Sequence, residues 1–161
     1  VALKTDYTSE ELSNLIEIIT TAPAKYRHLT ANLSNELLAA TYREGSWNIG
    51  QLVHHVADIA LLHFFRMKKE ITEPGSDMVV IQMDAWAATA DSVNFPVEDS
   101  LQMLEGITNR YTHLIRSSTE DQLQLSYYHP VRKFWISQKQ AVAMSAWHVV
   151  HHLAHIKLAL N

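Results

Sequence analysis

NIGQLVHHVADIALLHFFRMKKEI, residues 48–71, is the stretch that decides the fold. Asn48 followed three residues later by Gln51 has the form of a helix cap and its reciprocal partner. Ile49, Leu52, Val53, Val56, Ile59, Ala60 and Met67 then recur at three- and four-residue spacing, the period of a helix with one buried face. Gly45 breaks the chain before this run and Pro74-Gly75 stops it after about Ile71. The stretch therefore predicts one long amphipathic helix.

Working outward, the same signals mark three more. Thr8 with Glu11 matches a capping box, and Leu12, Leu15, Ile16, Ile19, Ala22 and Tyr26 follow at helical spacing. Pro23 is expected to kink or split that element. After Pro96 come Leu101, Leu104, Ile107, Tyr111, Leu114 and Ile115. From about Gln138 to the end, Val142, Val149, Leu153, Ile156 and Leu160 share a face. Between the helices, 33–40 reads as a short helix or an ordered connection. The stretch 76–96 reads as a crossover with a helical turn around Asp84–Ala90, and 122–137 as loop or short extended structure. Four periodic segments with weak strand signals between them predict an all-α fold. They fit one domain over 1–161, a four-helix bundle with a long crossover connection.

The composition sets bounds on partners. With 161 residues, the chain is long enough to bury a core. The net charge of −4 comes without a basic stripe for phosphates, so nucleic acid is not an expected partner. No stretch reaches the roughly 18 apolar residues of a membrane helix, so no membrane span is expected either. The absence of cysteine excludes disulfides, a thiolate nucleophile and Cys-based zinc sites, and agrees with a cytoplasmic location. No leader pattern follows Val1.

The unusual residue is histidine. There are ten, and seven of them (His54, His55, His63, His148, His151, His152 and His155) lie in 54–63 and 148–155. On a helix, residues four apart have Cβ atoms about 5–6 Å apart on one face, close enough for two imidazoles to share an ion. Two such pairs exist, His148/His152 and His151/His155. At about 100° per residue, His148 and His152 fall on the flank of the apolar stripe of the last helix, whereas His151 points away, where water is expected. His155 follows on the same flank as an auxiliary. On the 48–71 helix, His55 sits beside the apolar stripe and His54 well round the back, nearer solvent. His63 lies on the stripe itself, two turns beyond His55. A lone histidine beside an apolar face is more commonly a packed core residue than a ligand. A pair on one helix met by a third from another is a different matter, and His55, His148 and His152 are the predicted metal ligands.

Imidazole-only ligation suits one divalent transition metal, with zinc or nickel foremost, better than magnesium or calcium. Three neutral ligands would leave a coordination position open, as catalytic sites do. The other ring N–H groups need acceptors, for which Asp58, Glu44 and Asp84 are the acidic candidates. No catalytic acid or base is assigned. Trp47 and Trp147, next to the ligand motifs, either wall the site or pack in the core.

The run Tyr42-Arg43-Glu44-Gly45-Ser46-Trp47-Asn48, continued by Gln51-Leu52-Val53-His54-His55-Val56-Ala57-Asp58, resembles the second-helix signature of the YfiT-like branch of the DinB superfamily. So does Ala146-Trp147-His148-Val149-Val150-His151-His152-Leu153-Ala154-His155-Ile156. Asp84-Ala85-Trp86 and Tyr128-His129-Pro130 are similar to it too. The resemblance implies a four-helix bundle holding a metal through His55, His148 and His152, the same three that helical spacing selects. It implies metal-dependent hydrolysis or, alternatively, S-transfer joining a bacillithiol-like low-molecular-weight thiol to an electrophile, and a homodimer. It also suggests that Tyr128-His129-Pro130 borders the cavity. Gly45-Ser46-Trp47-Asn48 departs from the family's Gly-Gly-Trp-Thr, but Asn caps a helix as Thr does.

Two classes of function stand at this point. One is a metal-dependent enzyme acting on a small-molecule substrate. In that class a reacting thiol would have to come from a cosubstrate, because the chain has no cysteine. The other is a non-enzymatic bundle that binds metal or a small ligand, or whose histidines merely form a polar layer in the core.

Overall fold

The structure, a computed structural model, describes residues 3–161; Val1, the start of the stretch expected to carry no leader, lies outside them. Four long helices form the bundle: α1 (Ser9–Thr30), α3 (Ile49–Thr72), α6 (Val97–Ser117) and α8 (Gln138–Ala159). Short helices α2 (Asn35–Leu38), α4 (Met83–Ala87), α5 (Ala90–Asn94) and α7 (Glu120–Gln124) punctuate the connections. No helix among the described residues is long and apolar enough to cross a membrane.

The caps form as the sequence predicts. Thr8 Oγ1 accepts from the Glu11 N–H while Glu11 accepts from the Thr8 N–H, and Asn48 and Gln51 reciprocate in the same way. α8 starts on a third such box, Ser137 with Gln140, which satisfies N–H groups that a helix start leaves without intrahelical partners. Pro23 neither ends nor splits α1. Pro23 is buried between Ala22 and Tyr26, and the Tyr26 hydroxyl donates to Val149 O at 2.8 Å, pinning α1 to α8 across the missing rung.

The helices are arranged so that α1 packs on α6 and α8, and α3 packs on the same two. The consecutive long helices α1 and α3 therefore sit on a diagonal, as do α6 and α8. This is not an up-down-up-down bundle, and the connection from α3 to α6 carries α4 and α5 along the outside of α3. The arrangement makes α3 and α8 neighbours, which the histidine site requires.

The segment 122–137 holds more order than its sequence suggests. It begins in the end of α7 and holds a hairpin, β1 (Ser126–His129) with β2 (Phe134–Ser137), in the register Ser126↔Ser137 to His129↔Phe134. Tyr127 and Ile136 are buried in a small cluster with Met78, Ala141 and Met144, which ties the hairpin to α8. Its tip, carrying His129 and Arg132, is thereby held against α3 and α8 beside the histidines.

Candidate metal centre

His55 comes from the second turn of α3, and His148 and His152 from successive turns of α8. The structure brings the three together. Each offers a ring nitrogen, and these atoms lie within 4.8 Å of one another. His55 Nε2 and His148 Nε2 are 3.0 Å apart, and the ring centroids are 4.5 to 5.0 Å apart. A tetrahedral ion with bonds of 2.0–2.1 Å would separate its ligand nitrogens by roughly 3.3 Å. The convergence therefore has the scale of a metal centre, and its donors are of one kind.

Electrostatics prepares the same donors. Burial takes the His55 imidazole down to about 4. Burial, and then the neighbouring imidazoles, takes His152 down to about 3 and holds His148 well below its ordinary 6.5. All three are neutral at physiological pH, with lone pairs free to ligate. Nothing in the described structure supplies the expected acceptors for their second nitrogens. His152 Nδ1 is buried without a hydrogen-bond partner. Glu44 is exposed, and Asp58, half-buried and raised to about 6 by burial and by Asp91, hydrogen-bonds to none of the three. Asp84 lines a recess together with His152, His151 and His155 but does not bond to them.

His54 corrects the sequence reading. Expected near solvent, it is 6% exposed, because α5 and α6 cover the back of α3. Its Nε2 lies 3.1 Å from Phe95 O, which can only accept, so Nε2 carries the proton. Its Nδ1, 2.7 Å from Ser100 Oγ, then accepts from that hydroxyl. With both nitrogens engaged, His54 has none to offer an ion.

His63 is likewise a bonded core residue, as its place on the apolar stripe implied. Ser145 Oγ donates to Ala141 O at 2.9 Å, so its 2.8 Å contact with His63 Nδ1 is one in which His63 donates. Burial, with Arg66 and His55, brings His63 down to about 3. His151, expected to face water, is half-buried beside a recess it shares with His155. His151 stacks on Trp147 at 4.4 Å and His155 on Tyr42 at 4.0 Å. With His152 they form a second group of three whose nitrogens lie within 4.8 Å. That group sits on one helix, draws on His152 and is less buried than the first. Trp47 walls the principal centre, 4.6 Å from the His55 ring, and Trp147 faces the cavity that reaches His148.

The model of the DinB superfamily matches residues 18–156. The chain belongs to the DinB superfamily. Among its relatives is a protein of Oceanobacillus iheyensis described as a candidate metal-dependent hydrolase. The two are 41% identical over 154 residues, which cover 96% of this chain and 88% of that one. YfiT of Bacillus subtilis, described in the same terms, is 31% identical over 149 residues, covering 92% and 84%. The solved structure of YfiT, described as an unusual four-helix bundle, superposes with a TM-score of 0.94 over 98% of this chain and 90% of that one. A mycothiol-dependent maleylpyruvate isomerase shares the fold alone, at 16% identity and a TM-score of 0.72, over 90% of this chain and 60% of that one. The DinB fold thus accounts for the diagonal placement of α1 and α3 that sets His55 against the α8 pair.

Proposed function

We propose that this chain is a metal-dependent hydrolase of a small-molecule substrate, with one zinc or nickel ion held by His55, His148 and His152. One observation carries the reading: three neutral imidazoles from two helices, two of them buried and one half-buried, converge with no carboxylate among them and with only one ring–ring contact short enough for a hydrogen bond, His55 Nε2 to His148 Nε2. An ion bound there would supply Lewis acidity, which can bring the pKa of water from 15.7 to about 7.

The protein's own groups do the rest. The three rings leave one side of the centre facing a cavity bounded by His148, His63 and Trp147, through which a substrate can approach. Trp47 packs against the His55 ring and, with His152, borders a second recess. The neutral state of the rings means that no proton competes for the ligand nitrogens at physiological pH.

The test is elemental analysis of protein purified without metal-affinity resin, followed by a panel of ester and amide substrates assayed with and without added small thiols. About one metal per chain is expected, with turnover by water addition that disappears along with the metal in His55→Ala. Turnover that consumes thiol in place of water would assign thiol transfer. No metal uptake, even after incubation with zinc or nickel, would overturn the reading.

A further inference from the structure

A cavity of about 270 Å³ opens between α3, the segment before α4, the hairpin tip and α8. Leu62, Ile81, Met144 and Trp147 give it apolar walls, and His148, one of the three converging histidines, belongs to its lining. Its remaining lining is cationic. Arg66 and Arg132 both face it, with His129 beside them.

Arg66 is a buried arginine and Arg132 an exposed one, and neither has an acidic partner among the described residues. Arg66 is 6% exposed, and its Nε and Nη2 both donate to Val79 O, at 2.9 and 2.5 Å, which satisfies one edge of the guanidinium but brings no countercharge. Among the described residues neither Arg66 nor Arg132 has a carboxylate within 4.0 Å, although four other basic side chains do. Glu70, one turn along α3, accepts from the Gly75 N–H and lies beyond ion-pair distance. Guanidinium groups remain protonated in proteins, so the two charges persist and repel each other. His129 adds a donor: its Nδ1 accepts from the Arg132 N–H at 3.3 Å, which leaves the proton on Nε2. Burying the Arg66 charge without a countercharge is costly, and a second cation at the mouth of the same apolar-walled cavity adds repulsion that an entering anion would relieve.

We propose that this cavity seats the anionic end, a carboxylate or phosphate, of an amphipathic substrate whose reacting end lies at the histidine centre. Arg132 holds the oxygens in a forked pair and Arg66 adds the N–H groups not spent on Val79 O, while Leu62, Met144 and Trp147 cover the apolar stem. The position of the reacting end rests on the metal-centre reading; the anion seat does not.

The experiment is calorimetric titration of the metal-free protein with hexanoate, hexanamide and hexyl phosphate, beside zinc titration of the same preparation. Hexanoate or hexyl phosphate should bind at least about tenfold more tightly than hexanamide, and whichever anion binds tighter identifies the headgroup. Arg132→Gln, at an exposed position that tolerates change, should erase about tenfold of that affinity, while Arg132→Lys retains part of it and zinc binding is unaltered. Arg66→Gln should do the same, but its burial puts folding at risk, so Arg132 carries the test. Equal binding of hexanoate, hexyl phosphate and hexanamide, no binding by either anion, or an unchanged anion affinity in Arg132→Gln would overturn the proposal. Zinc bound without an anion sinks this inference alone. An anion bound without zinc or nickel sinks the metal-centre reading and keeps the anion seat.

Discussion

His54 and His55 are adjacent on α3 and almost equally buried, at 6% and 4% exposure, yet they occupy opposite chemical situations. His54 donates to Phe95 O and accepts from Ser100, so burial costs it little and leaves it nothing to give. His55, about 100° round the helix, meets only other imidazoles and Trp47. Burial alone does not make a ligand. What distinguishes the two is whether the ring's hydrogen-bonding capacity is spent on the protein or left to converge with its like.

The largest break of this comparison is in metal content. His55→Ala, and separately His148→Ala, should bind less than about a hundredth as much zinc as the parent at equal free metal, with helical circular dichroism retained. His54→Ala should bind metal as the parent does. A His54 variant that lost metal while staying folded would contradict the separation of roles. The same contrast should appear in stability. With free zinc at about a hundred times its dissociation constant, mass action adds about 2.7 kcal/mol to the parent and to His54→Ala, and nothing to His55→Ala. Urea unfolding with and without zinc measures it.

A smaller effect with the opposite assignment sharpens the point. Removing the His54 ring leaves the Ser100 hydroxyl and Phe95 carbonyl without partners beside a cavity. His54→Ala without metal should therefore lose about 2 kcal/mol. Metal-free His55→Ala should lose less, because its ring nitrogen meets His148 Nε2 at 3.0 Å and its removal strands no hydroxyl or backbone carbonyl. Urea midpoints decide it, and equal losses would argue against the contrast.

The pair also shows what a sequence can and cannot disclose. The caps at Thr8 and Asn48 and the faces of α1, α3, α6 and α8 are local, repeated every turn, and readable without a partner. His55, His148 and His152 were legible for the same reason, since flank position on two helices is a local property. The burial of His54 was not, because it depends on α5 and α6 covering the back of α3 after a crossover whose path no periodicity records. The cationic cavity was hidden more deeply. Arg66 is a helix residue of no special pattern, and Arg132 reaches it only because Tyr127 and Ile136 dock the hairpin on α8. The one available signal was Tyr128-His129-Pro130, which resembled the family's motif without showing what it was near.

The smallest effect is a slope. Below pH about 6.5 the imidazoles of the unfolded chain take up protons, while His55 in the folded protein holds out to about 4 and His152 to about 3. The unfolded state then binds more protons, so stability of the metal-free protein is fully present above 6.5 and falls as the pH drops through that window. Asp58 acts in the opposite sense. Its carboxyl, raised to about 6, binds a proton in the folded state before the unfolded one does, and offsets part of the loss above its ordinary 3.8. The total slope therefore mixes signs, but the difference between parent and His55→Leu does not, because Asp58 is common to both. That difference should approach about 1.4 kcal/mol per pH unit at the steepest, the value for one proton, between pH 6 and 4. It should vanish above pH 7. Urea unfolding of the two proteins across pH 4 to 8 measures it. Parallel curves would mean that the His55 ring is hydrated and protonates freely, and the convergence of neutral donors would lose its electrostatic basis.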